Sequence, residues 1–149
     1  MYQVKDTMKT EVISVQPEAT IEEAIRILLT NDVSGAPVVD ANGNLCGIIS
    51  EYQLLEVVYD PDLKAAPVKD FMTKDVLTVD ETALLATVAN LFIMHRIRRV
   101  PVVRDGCVVG IVSRRDLLRY IVETGSKIDN FFDELKNCTA SNLLAASSC

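Results

Sequence analysis

The chain has 149 residues, of which 49% are hydrophobic and 24% are charged, and its formal net charge is −6. This composition is sufficient for a sizeable core in a soluble chain. The acidic charge argues against a general nucleic-acid surface, because it repels a polyanion at long range. No run approaches the roughly 20 apolar residues that a membrane helix needs. The first ten residues carry no apolar stretch of signal-peptide length, so no targeting segment is expected.

The sequence contains an internal duplication. Residues 4–8 (VKDTM) return 64 positions later as VKDFM, and residues 37–39 (PVV) return at the same offset. Residues 47–50 (GIIS) return 63 positions later as GIVS, which indicates a shorter turn in the second copy. Similarity at a fixed period predicts a repeat architecture. The expected domains are a first repeat over 4–59, a linker over 60–67, a second repeat over 68–124 and a tail over 125–149.

The first copy is predicted to fold as strand, helix, strand, turn, strand and helix. Thr20 and Glu23 form a capping box at the start of the first helix. Asn42 and Gly43 are a strong signal for a hairpin turn. The expected elements are an extended run over 11–15, a helix from 21 to about 30, strands over 36–40 and 45–49, and a helix from Ser50 to about Val58.

The second copy repeats this order. Asp105 and Gly106 provide its hairpin turn, and Gly125 ends its last helix. The expected elements are an extended run over 75–79, a helix over 83–94, strands over 100–104 and 107–112, a helix over 114–123, and a short helix over 128–136 in the tail.

A tandem β-α-β-β-α repeat with an apolar-Pro-Val-Val strand, a turn and then Gly-Ile-Val-Ser-x-x-Asp resembles a pair of cystathionine-β-synthase-type (CBS) domains. The resemblance covers the chain except for the linker and the tail. It implies an α/β (α+β) fold in which two repeats pack sheet to sheet about a pseudo-twofold axis. It also implies two clefts that bind adenosine nucleotides, in modules that regulate rather than catalyse.

The segment 110–116 (GIVSRRD) indicates a ligand site in the second copy, because a strand ends where a helix begins and free amides there favour an anion. The resemblance implies that Asp116 accepts the hydroxyls of a ribose and that Ser113 binds a phosphate. The alternative is that Ser113 is a helix N-cap and Asp116 is its capping-box partner.

The charge distribution supports a site in the same copy. Seven of the eight arginines lie within residues 96–119, a segment that sums to +5. Such a patch suits one compact polyphosphate, and guanidinium groups match phosphate oxygens. The alternative for each arginine is a solvated surface position. The candidate nucleotide-binding residues are Thr78, Arg98, Arg99, Val100, Pro101, Gly110, Ser113, Arg115 and Asp116.

Most of these residues also have an ordinary structural interpretation. The resemblance places Thr78 at the edge of the pocket, near the nucleoside, but it is equally a β-branched strand residue. Backbone groups of Val100 are candidates for reading the adenine edge. Pro101 is a candidate apolar wall or a core residue.

The first copy departs from this pattern. Gln53 occupies the position of the ribose-binding aspartate, and Glu51 adds a negative charge beside any phosphate. Gln53 still completes a capping box. We therefore expect one competent cleft and a weak second one, lined by Ser50, Gln53, Ala36 and Pro37.

Catalysis and metal binding are not expected. The chain lacks the nucleophile-elbow, P-loop and zinc-protease motifs. Its four cysteines, Cys46, Cys107, Cys138 and Cys149, form no C-x-x-C pair, and it has one histidine, so no zinc site is predicted. Four thiols without a disulfide framework indicate a reducing cytoplasm.

Two functions remain. The favoured one is a regulatory module that binds AMP, ADP, ATP or S-adenosylmethionine and signals to an unidentified effector protein. The alternative is a structural dimerisation module without a ligand. The resemblance also implies a homodimer, with Leu54, Leu55, Val58, Leu117, Leu118 and Ile121 as candidate contacts and core packing as their alternative.

Overall fold

The computed structural model describes residues 2–124. The predicted tail, its short helix, Cys138 and Cys149 lie outside the described residues. The described chain divides into two compact units, and the division is not the simple one between the two repeats. The first-repeat unit is Ile13–Val76, and the second-repeat unit combines residues 77–124 with residues 2–12.

The first-repeat unit contains one antiparallel hairpin and its helices. Helix α1 spans Ile21–Thr30, strands β1 and β2 span Gly35–Val39 and Leu45–Ser50, and helix α2 spans Glu51–Leu54. The predicted capping box of α1 is confirmed, because the Glu23 amide donates to Thr20 Oγ1 and the Thr20 amide donates to the Glu23 carboxylate, both over 3.1 Å.

Helix α2 is shorter than predicted. Beyond Leu54 the chain continues as a 3-10 helix over Leu55–Val58, and another 3-10 helix over Pro61–Ala65 occupies the predicted linker. Two adjacent valines at 57–58 favour a helix weakly. Asp60, which precedes a proline, has φ −140° and ψ 90°, the extended geometry that a following proline imposes.

The second-repeat unit has the same element order. Helix α3 spans Leu85–His95, strands β3 and β4 span Arg99–Arg104 and Cys107–Ser113, and helix α4 spans Arg114–Thr124. Asp105 and Gly106 both have positive φ, 53° and 82°, as the predicted tight turn requires. These elements agree with the sequence prediction to within two residues at each end.

The predicted extended runs at 11–15 and 75–79 do not form strands. Each contributes a single parallel bridge, Val15 to Val38 and Val79 to Val102. The Val79 amide donates to the Pro101 carbonyl, and the Val103 amide donates to the Val79 carbonyl. The next bond of a parallel ladder needs the amide hydrogen of Pro101, or of Pro37 in the first repeat, and proline has none. Proline at the centre of each hairpin strand therefore prevents the added strand from extending toward residue 77, or toward residue 13 in the first repeat.

The two repeats exchange their opening segments. We name residues 3–9 the first lead segment and residues 67–73 the second lead segment. The first lead segment packs in the second-repeat unit, where Lys9 bridges to Ile111 of β4, and the second packs in the first-repeat unit, where Thr73 bridges to Ile48 of β2. Val4 and Val68 have no exposed surface and belong to the cores of the units that receive them.

The candidate dimer contacts separate into core and surface residues. Leu54 and Leu117 are buried at 6% exposure, so the core interpretation holds for both. Leu55, Val58 and Leu118 are exposed, whereas Ile121 is partly buried against the core. No helix within residues 2–124 has the length and apolar character needed to cross a membrane.

Candidate functional site

The β3–β4 hairpin gathers several of the predicted site residues at one end. Arg99 pairs with Ser113 across the two strands, and Val100 pairs with Val112. Helix α4 starts directly after Ser113, and its Arg114 amide donates to the Arg98 carbonyl over 3.0 Å. The basic residues 98–99 and the Ser113–Asp116 turn therefore lie together in the second-repeat unit.

Asp116 forms the capping box that its alternative interpretation requires. Its carboxylate Oδ2 accepts a hydrogen bond from the Ser113 amide over 3.0 Å, and Ser113 Oγ accepts one from the Asp116 amide over 3.1 Å. The Asp116 side chain is 4% exposed. The capping role is confirmed, and the ribose-binding role, which uses the same carboxylate, stays a prediction.

The other carboxylate oxygen of Asp116 faces two cations. Oδ1 lies 3.3 Å from Arg119 Nη1 and 3.4 Å from Lys9 Nζ. The Thr7 hydroxyl also donates to the Asp116 carbonyl over 3.3 Å. Both cationic side chains are more than half exposed, at 53% and 59%. A buried carboxylate thus has two partners that are able to move into water.

Sequence reasoning missed the contribution of the first lead segment to this site. Lys9 and Thr7 lie more than 100 residues before Asp116, and nothing local to them indicates a ligand. The duplicated lead segments, residues 4–8 and 68–72, were the available signal, because each copy has one ahead of its Gly-Ile-x-Ser strand. The exchange itself appears only in the folded units.

The helix end offers fewer free amides than the sequence predicts. In the first turn of α4, the Arg114 amide is bonded to Arg98 and the Asp116 amide to Ser113. Within residues 2–124, the Arg115 amide is the one of these three without an acceptor. An anion at the start of α4 could therefore accept hydrogen bonds from one backbone amide of this turn and from the surrounding side chains.

Thr78 is a buried hydroxyl next to the same hairpin. It is 5% exposed, and among the described residues no hydrogen-bond partner for its hydroxyl is found. It immediately precedes Val79, whose amide donates to Pro101 on β3 over 3.1 Å. Buried hydroxyls almost always have a partner. A ligand or a water molecule that forms a hydrogen bond with the Thr78 hydroxyl would supply one.

Gly110 has a packing explanation that the sequence did not suggest. A Cβ atom there would lie 2.6 Å from Met8 Sδ and 3.1 Å from the Lys9 carbonyl oxygen. Gly47 is confined in the same way by the second lead segment, because a Cβ atom there would lie 2.6 Å from the Thr73 carbonyl oxygen. The glycine of each Gly-Ile-x-Ser strand thus admits the exchanged lead segment, and its predicted place in the nucleotide site stays a prediction.

The remaining candidates divide by position. Val100 and Pro101 are buried, and Arg115 is exposed on the first turn of α4. Arg104 lies at the opposite end of β3 and pairs with Glu81, which raises the pKa of the Arg104 guanidinium. Arg104 is therefore engaged away from the Ser113–Asp116 turn.

The polar residues of the predicted weak second cleft form a network of neutral side chains. The Gln53 amide oxygen accepts hydrogen bonds from the Ser50 amide over 2.7 Å and from the Ser50 hydroxyl over 2.9 Å, and Gln53 Nε2 donates to the Thr73 hydroxyl. Ala36 and Pro37 are buried in the first-repeat hairpin. Gln53 is thus satisfied by the protein on both ends of its amide.

Comparison with known proteins identifies the family. The CBS domain profile matches residues 4–60 and residues 68–123. The chain belongs to the CBS domain family and has the two-repeat fold of a CBS pair.

Solved CBS pairs resemble this chain over most of its length. CBSX2, a CBS-pair protein of Arabidopsis thaliana that was crystallised with AMP, is 31% identical, with a TM-score of 0.76 over 83% of this chain and 98% of that one. The CBS pair of protein MJ0100, crystallised with 5′-methylthioadenosine and S-adenosyl-L-methionine, is 30% identical, with a TM-score of 0.74 over 83% and 98%.

Curated relatives include both short and long proteins. The CBS domain-containing protein YhcV of Bacillus subtilis is 33% identical over 78% of this chain and 84% of its own length. The chain is 37% identical to inosine-5′-monophosphate dehydrogenase of Methanocaldococcus jannaschii, of which it spans 21%. It spans 42% and 15% of two other curated relatives that it matches.

Within the described residues no group of histidine, cysteine and acidic side chains is arranged to hold a metal ion. Cys46 is a partly buried free thiol, and Cys107 is partly buried in β4.

Proposed function

We propose that this chain is a regulatory module that binds one adenosine ligand in the cleft of its second repeat and signals its occupancy to an effector protein. The ligand class is AMP, ADP, ATP or S-adenosylmethionine, and no metal takes part. The observation that carries the proposal is the pair of solved relatives with adenosine ligands, each at least 30% identical over 83% of the chain. A cytoplasmic location is part of the proposal, supported by a sequence whose four cysteines suggest no disulfide framework.

The proposed site uses four features of the second-repeat unit. Asp116 would accept hydrogen bonds from the ribose hydroxyls. The buried Thr78 hydroxyl, which has no partner among residues 2–124, would bond the nucleoside. Ser113, Arg98, Arg99 and Arg115 would contact phosphate, with backbone groups of Val100 near the adenine and with Pro101 and Gly110 in its walls. Gln53, satisfied by Ser50 and Thr73, makes the first-repeat cleft the weaker one, so one tight ligand per chain is expected.

A second candidate is a dimerisation module that needs no ligand. The observation in its favour is that Asp116 is fully engaged by its capping box and two cations. Under this interpretation Asp116 stabilises α4 and the exposed apolar residues of the two units pair in a homodimer.

The test is titration calorimetry of AMP, ADP, ATP and S-adenosylmethionine, with GMP as the control ligand. Asp116→Ala should weaken binding of the preferred adenylate about ten- to hundredfold, because a hydrogen bond to a charged group contributes roughly 1.5 to 3 kcal/mol. Its stability should fall by about 1 kcal/mol, the cost of a lost cap, since Lys9 and Arg119 return to water at little cost.

Gln53→Ala is the matched control, because it removes the equivalent side chain of the first repeat. It should leave the tight site unchanged. In a thermal-shift assay, ligand at about 100 times its Kd stabilises by roughly 2.7 kcal/mol, which should raise the Tm by about 5 to 10 °C. If no adenylate binds, or if Asp116→Ala binds like wild type, the dimerisation module is the better description.

A further inference from the structure

The two units differ in the net charge of three equivalent residues around their capping boxes. In the second-repeat unit these positions hold Lys9, Asp116 and Arg119. In the first-repeat unit the same positions, by the 64- and 63-residue offsets, hold Thr73, Gln53 and Glu56. The formal charges sum to +1 in one unit and −1 in the other.

The exchanged lead segments place Lys9 and Thr73 at these positions in the same way. Each residue exchanges two backbone hydrogen bonds with the last hairpin strand, Lys9 with Ile111 and Thr73 with Ile48, over 2.8 to 3.0 Å. Each side chain then reaches the residue that ends the capping box, Asp116 or Gln53. The two contacts are therefore equivalent, and only their chemistry differs.

We propose that Lys9 is a specificity-determining residue of the Asp116 cleft, which it biases toward adenosine ligands that carry a phosphate. The inference rests on the proposed function, because it concerns which adenosine ligand that cleft prefers. In this structure the Lys9 ammonium group is a counter-ion of the buried Asp116 carboxylate.

Ribose hydroxyls that bind Asp116 at Oδ1 compete there with Lys9, while Oδ2 already accepts a hydrogen bond from the Ser113 amide. A nucleoside without phosphate leaves the displaced ammonium group with water alone. A nucleotide offers that group a phosphate instead, and a lysine is a mobile point charge that suits phosphate. Lys9 thus opposes a neutral nucleoside and favours an anionic nucleotide.

Arg119 is less able than Lys9 to move from Asp116 to a ligand phosphate. It belongs to α4, three residues after Asp116, so its pair with Asp116 is local to one helix. Lys9 comes from a different part of the chain, and its backbone is held at the edge of β4. Its ammonium group moves on a four-carbon stem that is 59% exposed, so it can leave Asp116 without any change in α4.

The experiment compares AMP with adenosine on the full chain by titration calorimetry. Lys9→Thr places in the second-repeat unit the residue that the first-repeat unit has at this position. This variant should weaken the binding of AMP about three- to tenfold, as expected for the loss of a partly exposed charge pair of about 0.7 to 1.4 kcal/mol. Adenosine should bind as tightly as to wild type or more tightly, so the preference for AMP falls.

Lys5→Thr is the matched control, because it removes the same charge from the same lead segment at an exposed position with no ion pair among the described residues. It should keep the wild-type preference, and Lys9→Arg should keep most of it. An unchanged preference in Lys9→Thr, or an equal loss in Lys5→Thr, would overturn the role of Lys9 while leaving the proposed function intact. Failure of wild type to bind either compound would overturn the role of Lys9. Failure to bind ADP, ATP and S-adenosylmethionine as well would overturn the proposed function.

Discussion

At the residue scale, the two glycines of the Gly-Ile-x-Ser strands show how closely the exchanged lead segments approach. The nearest atom to an added Cβ at Gly47 is the backbone oxygen of Thr73, at 2.6 Å. At Gly110 the nearest atom is the sulfur of Met8, at 2.6 Å, and the Lys9 carbonyl oxygen is 3.1 Å away. A methionine side chain adapts more readily than a backbone carbonyl, so the two positions differ in tolerance.

We therefore expect Gly47→Ala to destabilise the chain by about 1 to 3 kcal/mol, the usual cost of overpacking, and Gly110→Ala to cost less. Urea unfolding of both variants measures the difference. Gly43→Ala is a positive control for backbone strain alone, because Gly43 has φ 86° in an exposed turn. Equal stability of Gly47→Ala and wild type would contradict the close approach of the Thr73 carbonyl.

At the element scale, each lead segment completes the hydrophobic core of the unit in which it packs. Val4 has no exposed surface and packs with Leu85, Val100 and Val112 of the second repeat. Val68 is equally buried in the core that contains Ile21 and Ile49. A repeat without the other copy's lead segment lacks one central side chain and the hydrogen bonds that accompany it.

Val4→Ala and Val68→Ala are the paired variants that test the exchange. Each should lose about 2 kcal/mol, since deleting buried methyl groups costs the transfer energy plus a cavity. In native-state hydrogen exchange, Val4→Ala should raise the exchange rates of α3 and β4, whereas Val68→Ala should raise those of α1 and β2. A reversed or uniform pattern would show that each lead segment packs with its own repeat.

At the scale of the whole molecule, both units present exposed apolar side chains. Tyr52, Leu55, Val58 and Tyr59 are 57% to 90% exposed in the first-repeat unit. Ile93, Met94, Leu118 and Val122 are 62% to 78% exposed in the second. Exposed apolar side chains favour association where they form a contiguous patch, and these residues are the candidate contacts of the predicted homodimer.

Light scattering at micromolar concentration should therefore give about twice the 16.4 kDa chain mass, with or without nucleotide, as for a closed twofold dimer. Val58→Glu combined with Leu118→Glu should give a monomer, because two charges per chain would be buried without partners. Leu29→Glu, at an exposed leucine of α1, is the matched control and should remain dimeric. A monomeric wild type would contradict the homodimer and leave these side chains as ordinary surface residues.

The local elements of this protein follow from its sequence because their determinants lie within a few residues of one another. The capping boxes at Thr20 and Ser113 and the turns at Asn42-Gly43 and Asp105-Gly106 each satisfy backbone groups of their own segment. The duplication predicts that these elements occur twice, and it identifies Asp116 and Gln53 as unequal members of one position. The family, the two hairpins and the asymmetry of the two capping boxes were thus available from sequence alone.

Features that depend on contacts between distant segments were decided by the tertiary structure alone. The extended runs at 11–15 and 75–79 have strand-like sequences, but each forms one bridge, and the prolines of the facing strands prevent its extension toward residues 13 and 77. The exchange of lead segments depends on which core receives Val4 and Val68. The two repeats have similar apolar cores, so the sequence around each valine does not indicate which core it enters. Lys9 therefore reaches Asp116 only in the folded unit, because hydrophobic burial of the lead segment, and not any pattern around Lys9, brings the two charges together.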